Sequence, residues 1–197
     1  MKTTQRHNHR AGFTLIEMVG VLAVIAILAA LLVPKIFAAI NESRLNNTLG
    51  SINTCKTAAI QYFTKNGAFP STDTLNFDAT LLSEGFLDKV FEVKLSTAAD
   101  CEVKATTATG AGEGGSDGNG HFDLDGNTAT IDVPENASVV QVKIDNVKPE
   151  DARELSLRID GADMSAADTT TADKKGRVAY AAPDAGVTTV YVYLAHK

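Results

Sequence analysis

The chain has 197 residues, 44% of them hydrophobic, and carries 18 basic against 24 acidic side chains, a formal net charge of −6. That length allows one domain with a sizeable core, and the acidic balance argues against nonspecific nucleic-acid binding, which needs a basic surface. Three of the basic side chains, Lys2, Arg6 and Arg10, precede an apolar segment, and without them the balance is 15 − 24 = −9. The pattern predicts a basic leader, an apolar segment and an acidic soluble head, in that order.

The apolar segment covers the 21 residues from 13 to 33, and its only ionisable side chain is Glu17. As a helix it extends over roughly 30 Å, about the thickness of one bilayer hydrocarbon core. A secretory signal has its small residues after the apolar region, whereas here Ala11 and Gly12 come before it. The positive-inside rule places the basic leader in the cytoplasm and the head across the membrane.

Glu17 is unusual, because a carboxylate at the centre of a membrane helix costs about 3 kcal/mol on insertion scales. It either snorkels to the headgroups from near the helix end or meets a partner charge within an assembly. Pro34 breaks the helical hydrogen-bond ladder and Gly20 loosens it, so a kink or a locally melted stretch is expected near them. Pro34, followed by Lys35, also marks the membrane exit.

The run from Arg10 to Met18, RAGFTLIEM, resembles the prepilin N-terminus of type IV pilins and of type II secretion pseudopilins. The resemblance extends to Pro34 and implies that a membrane prepilin peptidase cleaves between Gly12 and Phe13. It also implies that the new amine of Phe13 is methylated. In this family the glutamate at the position of Glu17 pairs with the N-terminal amine of a neighbouring subunit, which sets the subunit register.

Beyond Pro34 the pattern becomes amphipathic and predicts that the helix continues to about residue 65, where Asn66-Gly67 and Pro70 stop it. The apolar face recurs every three or four residues and consists of Leu45, Leu49, Ile52, Cys55, Ala59 and Phe63. We therefore expect a leader over 1–12 that is removed, a membrane and filament-core helix over 13–34, an amphipathic continuation over 35–66 and a head over 67–197.

The head is predicted to be α+β. A short helix or turn is expected over 81–87 and a second helix over 149–159, capped by Gly161. Period-two alternation predicts strands over 91–95, 101–105 and 139–144 and a C-terminal hairpin of 178–181 with 187–194. Together with the long helix these give an antiparallel sheet of about four to six strands, and the family resemblance implies the type IV pilin fold.

Two cysteines are too few for a disulfide scaffold and lack the spacing of a zinc or redox motif. Cys55 lies on the apolar helix stripe and Cys101 on the inward phase of a strand, so we predict a disulfide between them. Closing a loop of about 45 residues stabilises a fold by roughly 3–4 kcal/mol in the chain-entropy model. The alternative is a pair of buried free thiols.

A flexible loop is predicted over 110–120, and acidic and amide residues follow it. They resemble an oxygen-rich calcium loop without the glycine positions of an EF-hand, and some pseudopilins do carry calcium in the head. The favoured interpretation is that these Asp, Asn and Gly residues form turns. We therefore predict no cofactor, with calcium as the alternative. The candidate ligands are Asp117, Asn119, Asp123, Asp125 and Asn127.

An enzymatic role has least support, because the part after the leader holds only His121 and His196 and no catalytic arrangement follows from the sequence. We predict a structural subunit of a type IV pilus-like filament, with the precursor in the inner membrane and its head in the periplasm. Its partners would be copies of itself or other pilins, the prepilin peptidase and an inner-membrane assembly platform. Two alternatives stay open, a pseudopilin of a type II secretion system and a membrane-anchored binding domain that does not polymerise.

Overall fold

The computed structural model describes residues 12–70, 74, 76–96, 98–106, 116–127 and 132–197. Almost all of the predicted leader, residues 1–11, and most of the predicted loop over 110–120 therefore lie outside the described residues. The chain divides into two compact units, Met1–Glu42 and Ser43–Lys197. The first helix, α1, begins in one unit and ends in the other.

Helix α1 comprises Leu15–Asn66 and confirms the predicted long helix and its end near residue 65. It continues without interruption through Gly20 and Pro34, so the structure shows no melted stretch at either residue. In the first unit every described residue of the helix is exposed.

Within the second unit, residues 43–66 of α1 bury one face against the head. The buried positions recur every three or four residues, as expected for an amphipathic helix. They are Leu45, Thr48, Ile52, Cys55, Ala58, Ala59 and Tyr62. The helix thus supplies one layer of the core, and a sheet supplies the other.

The sheet is antiparallel throughout, with the strand order β1-β2-β4-β3. Its strands are β1 (Ala99–Ala105), β2 (Ser138–Val147), β3 (Val178–Tyr180) and β4 (Thr188–His196). The described residues therefore give four strands, the lower end of the predicted range. Successive side chains of a strand point to opposite faces, and the apolar set of each strand faces α1.

The outer face of the sheet carries a second, smaller cluster beneath the segment 116–127. Phe122 packs against Tyr193 with ring centroids 5.6 Å apart, and a Cβ at Gly118 would lie 2.6 Å from the ring of Tyr191. The two tyrosines therefore serve packing on this face.

Two elements of the head differ from their predictions. Helix α2 comprises Phe77–Ser83, earlier than the predicted 81–87. The predicted strand over 91–95 is wrong, because that segment is irregular although Phe91 and Val93 are buried. The backbone N–H of Phe91 donates to the buried carboxylate of Asp78 at 3.0 Å, so a side chain takes the donor that a strand partner would have used.

Helix α3 comprises Pro149–Ile159 and matches the prediction at both ends. Proline suits the first helical position because its missing N–H has no partner there anyway. Glu150 and Asp151 lie in the first turn and Arg158 in the last, where each charge is favourable to the helix dipole.

A two-residue turn connects the two strands of the C-terminal hairpin, and its backbone conformation suggests a substitution that should stabilise the fold. Ala185 and Gly186 have φ values of 49° and 81°, and the left-handed conformation costs an alanine about 1–2 kcal/mol. Asparagine tolerates it better, so we expect Ala185→Asn to raise the free energy of unfolding by about 0.5–1 kcal/mol. Chemical denaturation of the purified protein measures this. Ala182→Asn, outside the turn, is the control, and an unchanged stability of Ala185→Asn would contradict the prediction.

Candidate functional site

The start of α1 carries a reciprocal cap between Thr14 and Glu17. The backbone N–H and the hydroxyl of Thr14 each donate to Oε2 of Glu17 at 2.8 Å, and the backbone N–H of Glu17 lies 3.3 Å from the Thr14 hydroxyl oxygen. This is a capping box, in which a threonine and a glutamate three residues later satisfy each other's helix-end donors. The Thr-x-x-Glu signal of this cap is present in the sequence, but the cap was not among the predictions.

The cap gives Glu17 a second role beside the predicted one. Its carboxylate is satisfied within its own chain, and the helix N-terminus favours a negative charge there. The side chain is nevertheless exposed, so a positive group from another chain can reach it. A single chain therefore holds Glu17 in a defined position and leaves it accessible.

The predicted cleavage site precedes the cap. Gly12 and Phe13 lie outside the helix, and Phe13 is 81% exposed. Accessible backbone outside regular structure is what a peptidase needs. The arrangement accommodates the predicted cleavage without unfolding α1.

The apolar surface of α1 is uncovered in the first unit. Among the described residues, α1 is long and apolar enough to cross a membrane. Large hydrophobic side chains from Phe13 to Ile40 are exposed. A continuous apolar surface of this kind requires either lipid or other helices around it.

The structure brings Cys55 and Cys101 together. Their Sγ atoms lie 2.6 Å apart, farther than the length of a disulfide bond, and both residues are fully buried. Cys101 pairs in register with Val142 on the sheet face that packs against α1. Burial raises the pKa of the Cys101 thiol well above its usual range. The predicted meeting of helix and strand at these residues is present, and the disulfide stays a prediction.

The candidate calcium ligands separate into two groups. Asp117 and Asn119 form a local turn in which the carboxylate of Asp117 accepts from the backbone and the side-chain amide of Asn119 at 3.2 and 3.1 Å. Asp123 and Asp125 instead join Asp132, and one carboxylate oxygen of each lies within 4.8 Å of the others. Turn chemistry therefore accounts for Asp117 and Asn119 but not for the cluster of Asp123, Asp125 and Asp132.

The geometry of the Asp123 cluster fits a hard divalent cation. Asp123 is 3% exposed, and its carboxylate oxygens have no close hydrogen-bond donor among the described residues, although the backbone N–H of Gly126 lies near enough to lower its pKa. Burial is the main cause that raises its pKa, and the charges of Asp132 and Asp125 add to it. Asp132 is oriented by the backbone N–H groups of Leu124 and Asp125 at 2.6 and 3.0 Å. Carboxylate oxygens are the ligands that calcium prefers.

Comparison with known proteins identifies the N-terminal segment. Residues 7–33 match the model of a protein family described as the prokaryotic N-terminal methylation motif, which confirms the prepilin-type N-terminus predicted from the sequence. The chain is also 34% identical over 67 residues to the type II secretion system core protein G of Pseudomonas aeruginosa. That alignment covers 34% of this chain and 47% of the relative, so the chain spans about half the length of the protein it matches. No solved structure matches the chain significantly.

Proposed function

We propose that the chain is a structural subunit of a type IV pilus-like filament. It is inserted into the inner membrane as a precursor, cleaved between Gly12 and Phe13, methylated on Phe13 and polymerised through α1. The match of residues 7–33 to the N-terminal methylation motif carries this proposal. In the proposed organisation 1–12 is the leader, 13–34 the membrane and filament-core helix, 35–66 its amphipathic continuation and 67–197 the head.

The apolar half of α1 gives the proposal a physical basis. Its exposed hydrophobic side chains match lipid before assembly and neighbouring helices after it. The basic leader holds the N-terminus in the cytoplasm, so the head lies in the periplasm. The prepilin peptidase and an inner-membrane assembly platform are the proposed partners, and no catalytic role is proposed for the chain itself.

Glu17 is the proposed register residue. When a neighbour's N-terminal amine approaches, its positive charge attracts the carboxylate far more strongly in low dielectric than in water. Thr14 already occupies Oε2 of that carboxylate through its backbone N–H and its hydroxyl, so an amine that approaches the same oxygen competes with the cap. We infer that the cap holds Glu17 before docking and that the neighbour's amine takes over on docking.

A pseudopilin of a type II secretion system is the second candidate. The similarity to a type II secretion core protein over 67 residues favours it. The aligned length is about a third of this chain, so two thirds of the chain lie outside the alignment. Both candidates use the same processing and the same helix.

Mass spectrometry of N-terminal peptides, on filaments sheared from the native host and on its membranes, tests the proposal. We expect a peptide that begins with methylated Phe13. Abundance in the sheared fraction indicates a pilus subunit, whereas confinement to membranes indicates a minor pilin or a pseudopilin. An intact N-terminus that retains residues 1–12 in a host with active prepilin peptidase would overturn the proposal and leave a membrane-anchored binding domain.

We also propose that the head binds calcium at the cluster of Asp123, Asp125 and Asp132. A ligand that binds only the folded state adds about 2.7 kcal/mol at a hundred times its dissociation constant, so calcium should raise the melting temperature and a chelator should lower it. Calorimetry of the purified protein measures both. Asp123→Asn should abolish the response, and Asp117→Asn, in the neighbouring turn, should keep it. A calcium response that persists in Asp123→Asn would contradict the assignment.

A further inference from the structure

A groove with a cavity volume of about 240 Å³ lies on one side of the head half of α1, between that helix, the end of α3 and β4. Its floor is apolar, its rim holds three cations, and no acidic side chain lines it. We call it the basic groove, and its cations are Lys56, Arg158 and Arg177. The basic groove contrasts with the rest of the head, because residues 43–197 carry 14 basic and 22 acidic side chains, a net charge of −8.

The two arginines of the basic groove are held in place by the head itself. Nε of Arg158 lies 2.9 Å from Glu154, and Nε of Arg177 lies 3.3 Å from Asp160. Lys56 differs, because it has no ion pair among the described residues. The groove therefore offers one free cation beside two fixed guanidinium groups.

A second groove, of about 390 Å³, lies on the other side of the same helix, where it meets the segment 87–92. Asp88 and Glu92 are exposed on its rim and define what we call the acidic edge, with Lys89 beside them. Glu92 is 4.0 Å from Lys94, whereas Asp88 has no ion pair among the described residues. Thr57 and Gln61 on the same helix are exposed, uncharged and outside both grooves.

We propose that the basic groove of one copy receives the acidic edge of a second copy, with Lys56 opposite Asp88. The proposal rests on the proposed filament function. Copies in a filament contact each other through two different surfaces. Among the described residues, Lys56 on one side of α1 and Asp88 on the other are the groove side chains of opposite charge that have no ion pair. Acidic heads repel one another, so a cationic groove fixes where a neighbour's acidic edge can lie.

Charge reversal in the full-length protein, expressed in the native host, tests this contact. Lys56→Glu and Asp88→Lys should each lower the yield of sheared filaments by about tenfold, because a like-charge contact costs more than 1.4 kcal/mol. The double variant restores the opposite charges in reversed order and should recover the yield to within about twofold. Lys174→Glu, an exposed lysine outside both grooves, is the matched control and should assemble normally.

The outcomes separate the interface from the proposed function. Single variants that accumulate in the membrane, lose filaments and are rescued by the double variant support the interface. Normal filaments from both single variants, or a double variant that stays defective, overturn it while the filament function stands. Absence of filaments from the wild-type chain overturns the filament function and the interface with it.

Discussion

Glu17→Ala is expected to remain inserted and processed but to lose filaments by roughly a hundredfold or more. Removing one partner of a buried charge pair costs about 3–5 kcal/mol, because the other charge is left uncompensated, and each 1.4 kcal/mol is tenfold in an equilibrium constant. Insertion itself should not suffer, since alanine enters the bilayer more easily than glutamate. Quantifying the chain in sheared filaments and in membranes measures the two effects separately.

Two further variants separate the charge of Glu17 from its capping hydrogen bonds. Glu17→Gln keeps an oxygen that can accept from Thr14, because glutamine also serves in a capping box, but it removes the charge. Thr14→Val keeps the charge and removes the hydroxyl. If the register of subunits in the filament depends on the negative charge of Glu17, Glu17→Gln should assemble as poorly as Glu17→Ala. Thr14→Val, which keeps that charge, should then assemble better than both.

Glu42→Ala is the matched control, since Glu42 is exposed on the same helix beyond the apolar segment. It should assemble at the wild-type level. Normal filament yield from Glu17→Ala would refute the register role. Normal yield from the glutamine variant, with a loss in both Glu17→Ala and Thr14→Val, would assign Glu17 to capping alone.

The sequence predicted those elements whose local signals agree with their tertiary surroundings. In α1 the apolar stripe changes from continuous to amphipathic after Pro34, and the helix ends beside Gly67, which has a φ of 73°. In α3, proline at the start and Gly161 after the end mark both limits. The meeting of Cys55 and Cys101 followed from the phase of a helix and the phase of a strand, which are the two most regular patterns in the chain.

The sequence failed where a single side chain replaces regular backbone pairing. Phe91 and Val93 are buried and alternate with exposed residues, as in a strand, yet the carboxylate of Asp78 accepts the N–H of Phe91. The alternation therefore predicted correctly which side chains are buried, but it did not indicate pairing with a neighbouring strand. The Asp123 cluster was incomplete in the sequence, because Asp132 is nine residues away and joins only through the fold. The capping box of Thr14 and Glu17 was a local signal that the membrane interpretation of Glu17 obscured.

Loss of the disulfide between Cys55 and Cys101 is expected to lower the free energy of unfolding by about 3–4 kcal/mol. For a domain of this size that corresponds to a fall in melting temperature of roughly 6–16 °C. The bridge would join α1 to β1 across the core, so its loss should loosen the helix from the sheet. We expect a chain purified from the oxidising envelope to expose no alkylatable thiol on denaturation, and one treated with reductant to expose two.

Alanine at both positions makes the energetic test independent of thiol labelling. If the bridge exists, Cys55→Ala and Cys101→Ala each abolish it, so the double variant should be little less stable than either single one. If both are free thiols, each substitution removes only its own packing and the two costs should add. Reductant should lower the melting temperature of the wild-type chain but not of Cys55→Ala. Burial raises the pKa of Cys101 and so disfavours its reactive thiolate.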